Sequence, residues 1–213
     1  MKYAISFIHT ASVHINTFNT ILADLAPQLT INHIVDESLL TYAQQHGVDS
    51  VLKQKVNTML AELSLQSKVI VITCSSIGAI AENIGQLNGC VIQRIDRAMA
   101  DFSVQNGNNI LVVASLESTL TPTHDLLKSS VLTIGKTPKF TVQCIDNAWD
   151  NFVKGDMEAY YADIIKVLKL SEQKYDLIVL AQASMAGVES SVELSIPLVS
   201  SPILGVKKAI SVL

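Results

Sequence analysis

Short runs of valine, isoleucine and leucine alternate along the chain with longer stretches in which apolar residues recur every three or four positions. A brief continuous apolar run suits a strand buried on both faces, and the longer period suits a helix laid on such a sheet. Strands are therefore expected at 2–8, 30–35, 68–73, 89–93, 109–114, 139–144, 176–181 and 197–200. Helices are expected at about 13–25, 49–64, 77–84, 95–103, 119–128, 157–170 and 202–213. Strands separated by helices of this length build parallel sheets through right-handed crossovers.

The pattern repeats. KVIVITCSS at 68–76 and DLIVLAQAS at 176–184 stand 108 positions apart, and each is an apolar strand that ends in small polar residues. The polar stretch SVQNGNN at 103–109 is the natural linker. The expected fold is α/β with two pseudo-symmetric lobes, each a parallel sheet flanked by helices. The first lobe takes residues 1–100 plus 200–213, the second 101–199, with the last helix packing back on the first. Open parallel sheets bind ligands beyond the C-terminal ends of their strands, so the site is expected in the cleft between the lobes.

Composition narrows the class. Of the 213 residues, 49% are hydrophobic, 16% charged and 5% aromatic, so the core is aliphatic and disorder is excluded. A formal net charge of −4 with no basic stripe argues against nucleic acid as partner. The uncharged stretch 3–23 carries His9, His14, Asn16 and Asn19, which are costly in hydrocarbon, so no membrane span is expected. Cys74, Cys90 and Cys144 are an odd number of scattered thiols, which suits a reducing cytoplasm. The histidines lack metal-ligand spacing, and no metal is expected. Gly135-Lys136-Thr137 echoes a phosphate loop, but Pro138 forbids the helix that such a loop must start.

The residue with most chemistry is Cys74. It follows the β-branched run Val69–Ile72, and Ser75, Ser76 and Gly78 then open a helix. A helix N-terminus favours an anion by up to about 2 kcal/mol, which favours the thiolate. The same amides, with the Ser75 and Ser76 hydroxyls, suit a substrate carboxylate. The plainer reading is a buried cysteine acting as a small hydrophobe.

TCSSIG (73–78), DLIVLAQASMA (176–186) and SPILGV (201–206), with a first strand that runs into His9–Thr10, resemble the aspartate/glutamate/hydantoin racemase superfamily, the first motif in its hydantoin-racemase form. SLESTLTPT (115–123) matches loosely. The resemblance runs over nearly the whole chain. It implies a cofactor-independent isomerase with one cysteine from each lobe: one thiolate removes an α-proton and the opposing thiol delivers another. It also implies a small carboxylate or hydantoin as substrate, and a homodimer.

Where the resemblance places the second cysteine, this chain has Gln182. An amide donates and accepts hydrogen bonds but is neither acid nor base. Two-thiol racemisation is therefore replaced by chemistry that needs Cys74 alone. The choices are racemisation with His9 or a water in place of the missing thiol, decarboxylation as in the arylmalonate decarboxylase branch (which keeps the other cysteine), or maleate-type cis–trans isomerisation. A rival from another class is a small-carboxylate-binding protein without turnover. Thr10 and His9 are expected to face the ligand, with a satisfied histidine as the alternative for His9. Ser115, Ser118 and Thr119 fit a carboxylate nest by resemblance, or else ordinary helix capping. Gln182 and Ser184 are expected at the ligand, with loop packing as the alternative for Gln182. The acidic residues Asp146, Asp150, Asp156 and Glu158 read as solvated surface, and Trp149 as an anchor of its helix to the sheet.

Overall fold

The computed structural model describes all residues, Met1–Leu213, and its contacts divide the chain into two compact units. One unit comprises Met1–Arg97 with Pro202–Leu213, the other Ala98–Ser201.

The first unit holds β1 (Tyr3–His9), α1 (His14–Leu25), β2 (Ile31–Val35), α2 (Ser38–His46), α3 (Ser50–Ser64), β3 (Ser67–Ile72), α4 (Gly78–Ile84), β4 (Gln86–Leu87) and β5 (Cys90–Arg94). Its sheet runs β2-β1-β3-β5-β4. The first four of these strands are parallel and β4 pairs antiparallel with β5. Strand periodicity sorts the side chains between two cores. Ile8, Ile70 and Ile72 pack with Leu39, Leu52, Val56 and Leu60 of α2 and α3. Ile5, Phe7, Val69 and Val71 pack with Phe18 and Leu22 of α1 and with Val206 and Ala209. Each fully buried side chain of this size contributes roughly 1.5–3 kcal/mol relative to exposure.

The second unit continues with α5 (Arg97–Asn106), β6 (Asn109–Ala114), α6 (Leu120–Ile134), β7 (Lys139–Cys144), α7 (Ala148–Val153), α8 (Met157–Ser171), β8 (Leu177–Leu180) and β9 (Leu198–Ser200), before α9 (Ser201–Ile210) closes the chain. The order β7-β6-β8-β9 is parallel throughout and repeats the order of the first four strands of the other sheet. Leu111, Val113, Ile178 and Leu180 pack on Tyr160, Ile164 and Leu168 of α8.

Several elements differ from expectation. The stretch read as a linker is helical to Asn106, because Met99, Ala100, Ser103 and Val104 form one buried helix face and Ser103 Oγ donates to Met99 O at 2.7 Å. The division between the units falls at its start, between Arg97 and Ala98. α2 and α7 were not expected, and α6 runs six residues past its expected end at Lys128 before Gly135 caps it in the left-handed region. Gln86–Leu87 pairs with Cys90–Val91 around Asn88 and Gly89, both at positive φ. That is the two-residue hairpin favoured by Asn-Gly, a signal present in the sequence. Trp149 stacks on Phe152 of its own helix, and it is Phe152 that meets Tyr160 of α8, so the ring contacts of α7 run to a helix rather than to the sheet. Asp146, Asp150, Asp156 and Glu158 are exposed. No helix is long and apolar enough to cross a membrane.

Gly205 shows why the closing segment has its composition. A Cβ at this position would run into the carbonyl oxygen and side chain of Ile95, so α9 lies against the end of β5 only with hydrogen there. Gly205→Ala is expected to destabilise the protein by about 2 kcal/mol, read as a lower urea midpoint with unchanged slope. An unchanged midpoint would show that α9 shifts freely.

Candidate functional site

Each unit has a polar cluster at the C-terminal end of its sheet, at equivalent positions. In the first, Thr73 N donates to Ile8 O and prolongs the pairing of β1 with β3 by one residue. In the second, Ala181 N donates to Val113 O in the same way. The next residue along each strand is Cys74 in one case and Gln182 in the other.

Cys74 is half-buried, with one side against the core of Ile8 and Ile72. It does not sit directly on a helix start. A turn over Ser75–Ile77 intervenes, in which Ile77 N donates to Cys74 O and Gly78 N to Ser75 O, both at 3.3 Å. α4 is only seven residues long and begins at Gly78, so the expected help from a helix dipole is small. What holds the turn is Arg94, 4% exposed. Its guanidinium grips Asp96 through two bonds of 2.6 and 2.9 Å, reaches Glu82 at 3.1 Å, and turns Nη2 toward Ser75 O at 3.5 Å. Burial works against this charge, but Asp96 and Glu82 outweigh it and raise the arginine's pKa. Gly78 is glycine because a Cβ would stand 2.9 Å from Arg94 Nε. Ser75 is buried and Ser76 half-buried beside the thiol. Thr10, 6% exposed, directly follows β1, whose register sets Ile8 against Ile72, two residues before Cys74.

His9 is not placed to reach a ligand. It is fully buried, with Nδ1 2.9 Å from Thr73 Oγ1 and Nε2 2.8 Å from His33 Nδ1, whose Nε2 meets Asn19 Oδ1 at 2.9 Å. Its ring lies against Phe7, His33 and Phe18, and Phe7 and His33 also stack on each other. Burial, then the proximity of His33 and His14, lowers its pKa to about 3. Of the two readings open for His9, the satisfied histidine is the one observed, and its contact with Thr73 steadies the residue before Cys74.

In the second unit the expected carboxylate nest is already filled. Gln182 Oε1 receives Ser115 N–H at 2.7 Å, Leu116 N–H at 3.1 Å and the Ser115 hydroxyl at 3.0 Å. These donors are therefore spent on the protein's own side chain. The register of β6 with β8 brings Ser115 beside Gln182, a contact the sequence spacing does not announce. Ser115 Oγ also meets Tyr160 Oη at 3.0 Å, which meets Ser184 Oγ at 2.8 Å. Tyr160 is the member of this cluster that sequence reasoning missed; its only signal was a buried position on the apolar stripe of α8. Ser118 is exposed in a 3-10 turn over Glu117–Thr119 and contacts none of these groups, while Thr119 is buried and makes no side-chain cap.

The other thiols are poorly suited to acid–base work. Burial pushes Cys90 up to about 11, and burial with the charges of Glu117 and Asp146 raises Cys144, which borders a groove of about 220 Å3 with Asp163 and Lys166. No group of three or more His, Cys, Asp or Glu residues is arranged to hold a metal ion.

The sequence model of the Asp/Glu/hydantoin racemase family matches residues 10–209. No curated protein matches by sequence. Among solved structures, the chain is similar to glutamate racemase from Bacillus anthracis, with TM-score 0.76 and 14% identity over 100% of this chain and 82% of that one. It is also similar to allantoin racemase from Klebsiella pneumoniae, with TM-score 0.64 and 17% identity over 98% and 86% of the two chains. The aspartate racemase of Picrophilus torridus gives TM-score 0.66 and 13% identity over 97% and 94%. At these identities the likeness is one of fold.

Proposed function

Because the chain belongs to the Asp/Glu/hydantoin racemase family, we propose that it catalyses proton transfer at the carbon next to a carboxylate or a hydantoin carbonyl of a small molecule, using Cys74 as its one acid–base thiol. The supporting observation is the half-buried sulfur beyond the end of β3, flanked by Ser75 and Ser76 and braced from beneath by Arg94. Removal of the proton by thiolate leaves a carbanion whose charge spreads onto the neighbouring oxygen; hydroxyls and backbone amides stabilise that oxygen. Thr10, Ser75 and Ser76 take this role, and Ser118 and Thr119 remain weaker candidates.

The composition of the second cluster favours one-sided chemistry. Gln182 has no proton to lose at accessible pH, and the Ser184 hydroxyl has no base beside it, only Tyr160. Single-thiol decarboxylation of a substituted malonate and cis–trans isomerisation of an unsaturated diacid fit the same groups.

The test is exchange in deuterated water, followed by proton NMR, across amino acids, hydantoins, malonates and maleate. Deuterium incorporation without matching loss of optical activity is the expected result. Equal interconversion of both enantiomers, with a rate that Gln182→Cys leaves unchanged, would overturn the single-thiol reading. Binding with no exchange, decarboxylation or isomerisation of any probe would instead identify a binding protein.

A further inference from the structure

Hydrogen bonds in the second unit form a chain whose direction is decided by elementary chemistry. The atom of Gln182 in the nest accepts from two backbone N–H groups, and these only donate, so it is the carbonyl oxygen. Ser115 gives its hydroxyl proton to the same oxygen. Having one proton, Ser115 Oγ receives the Tyr160 hydroxyl rather than donating to it. Tyr160 is committed in turn, so Ser184 donates to Tyr160 Oη. Burial pushes Tyr160 up to about 12, so its proton stays in place at all ordinary pH. The order is Ser184 to Tyr160 to Ser115 to Gln182, with every proton spent inward.

Two groups remain with free valences, of opposite kind. The Nε2 group of Gln182 carries two N–H bonds and donates to no protein atom, although the residue is only 9% exposed. Ser184 Oγ, its proton spent, offers lone pairs alone. Three bonds hold the Gln182 amide, so its free end is presented in one orientation and pays little ordering entropy on binding.

We propose that Gln182 and Ser184 are specificity-determining residues that read a neutral amide edge: a ligand carbonyl oxygen accepts from Gln182 Nε2 and a ligand N–H donates to Ser184 Oγ. Cyclic amides, imides and ureides carry both groups. A carboxylate carries acceptors only, and it meets the Ser184 lone pairs with nothing to donate. This assignment deepens the family reading above and rests on it for placing Gln182 and Ser184 at the ligand.

The experiment is isothermal titration of the full chain with two probes, hydantoin and malonate. Hydantoin is expected to bind roughly tenfold more tightly than malonate, because a carboxylate offers the half-buried Ser184 oxygen no donor and forfeits that hydrogen bond. Gln182→Glu keeps one oxygen in the nest and turns the free end from donor to acceptor; it is expected to weaken hydantoin binding about tenfold with no loss of thermal midpoint. Tyr160→Phe releases the Ser184 proton and is expected to shift preference toward malonate. Ser184→Ala, which disturbs the fold least, is expected to weaken hydantoin and spare malonate. Equal affinity for both probes in the unmodified protein, no binding of either, or hydantoin affinity unchanged in both Gln182→Glu and Ser184→Ala would each overturn the assignment. Binding is read without turnover. Discrimination without proton exchange defeats only the proposed activity, whereas exchange with unaltered binding in the variants defeats only the proposal for Gln182 and Ser184.

Discussion

Cys74→Ser is expected to lower the rate of α-proton exchange by roughly a thousandfold while the protein stays folded. A positioned acid–base side chain contributes about 10²–10⁴ in rate, and a serine hydroxyl without a partner base does not ionise in the range where a thiol does. No other thiol takes over: Cys90 is sealed in the core of the first unit and its pKa lies at about 11, while Cys144, also raised, ends the edge strand β7 of the second unit. The structural cost is small, since serine matches the shape of cysteine and Cys74 is only half-buried. The check is the decay of the α-proton signal in deuterated water, with circular dichroism confirming the fold and Cys144→Ser as a control that keeps the rate. Activity within tenfold of the unmodified protein in Cys74→Ser would remove the sulfur from the mechanism.

Acidification is expected to destabilise the protein by about 4 kcal/mol between pH 7.5 and 5. The cause is the histidine group in the first unit. Burial, then His33 and His14, lowers His9 to about 3; burial lowers His14 to about 4, and His33 is lowered by burial as well. Each folded value lies below the unfolded one, near 6.5. The unfolded chain therefore binds more protons below that pH, so stability is complete above about 6.5 and falls as pH falls. At pH 5, His9 and His14 are still neutral in the fold while their unfolded counterparts are largely protonated. This amounts to about 2 kcal/mol for each, against a total stability of roughly 5–15 kcal/mol. Urea midpoints measured at both pH values check this, and His9→Gln with His14→Gln flattens the profile. A midpoint that does not move between pH 7.5 and 5 would mean that the ring nitrogens protonate within the fold without cost.

The fold was largely legible because its central strands are written as uninterrupted aliphatic runs. Val69–Ile72 divides its side chains between two helix-covered cores, and Ile110–Val113 is likewise fully buried, with Leu111 and Val113 on α8. Elements with weak or mixed patterns were not legible. Gln86–Leu87 is too short to show a period and was marked only by Asn88-Gly89. Ser103 to Asn106 is polar by composition, yet helical, because Ser103 satisfies its hydroxyl on Met99 O and turns Val104 inward.

Among the candidate site residues, Cys74, Ser75 and Ser76 could be read from TCSSIG, since their placement follows from one strand and the turn after it. The environment of His9 could not, because it depends on His33 from a neighbouring strand and Phe18 from a helix. The filling of the Ser115 nest by Gln182, two residues 67 positions apart, was likewise invisible.

The amino-acid order alone determined two sheets with parallel central strands, a thiol past the end of one and an amide at the matching place in the other, because local periodicity and strand termini are properties of contiguous residues. Which hydroxyl protons are spent, which histidines are silent and which N–H bonds remain free was decided by tertiary structure, because each hydrogen-bonding partner arrives from a distant strand or helix and every group has only a few valences to give.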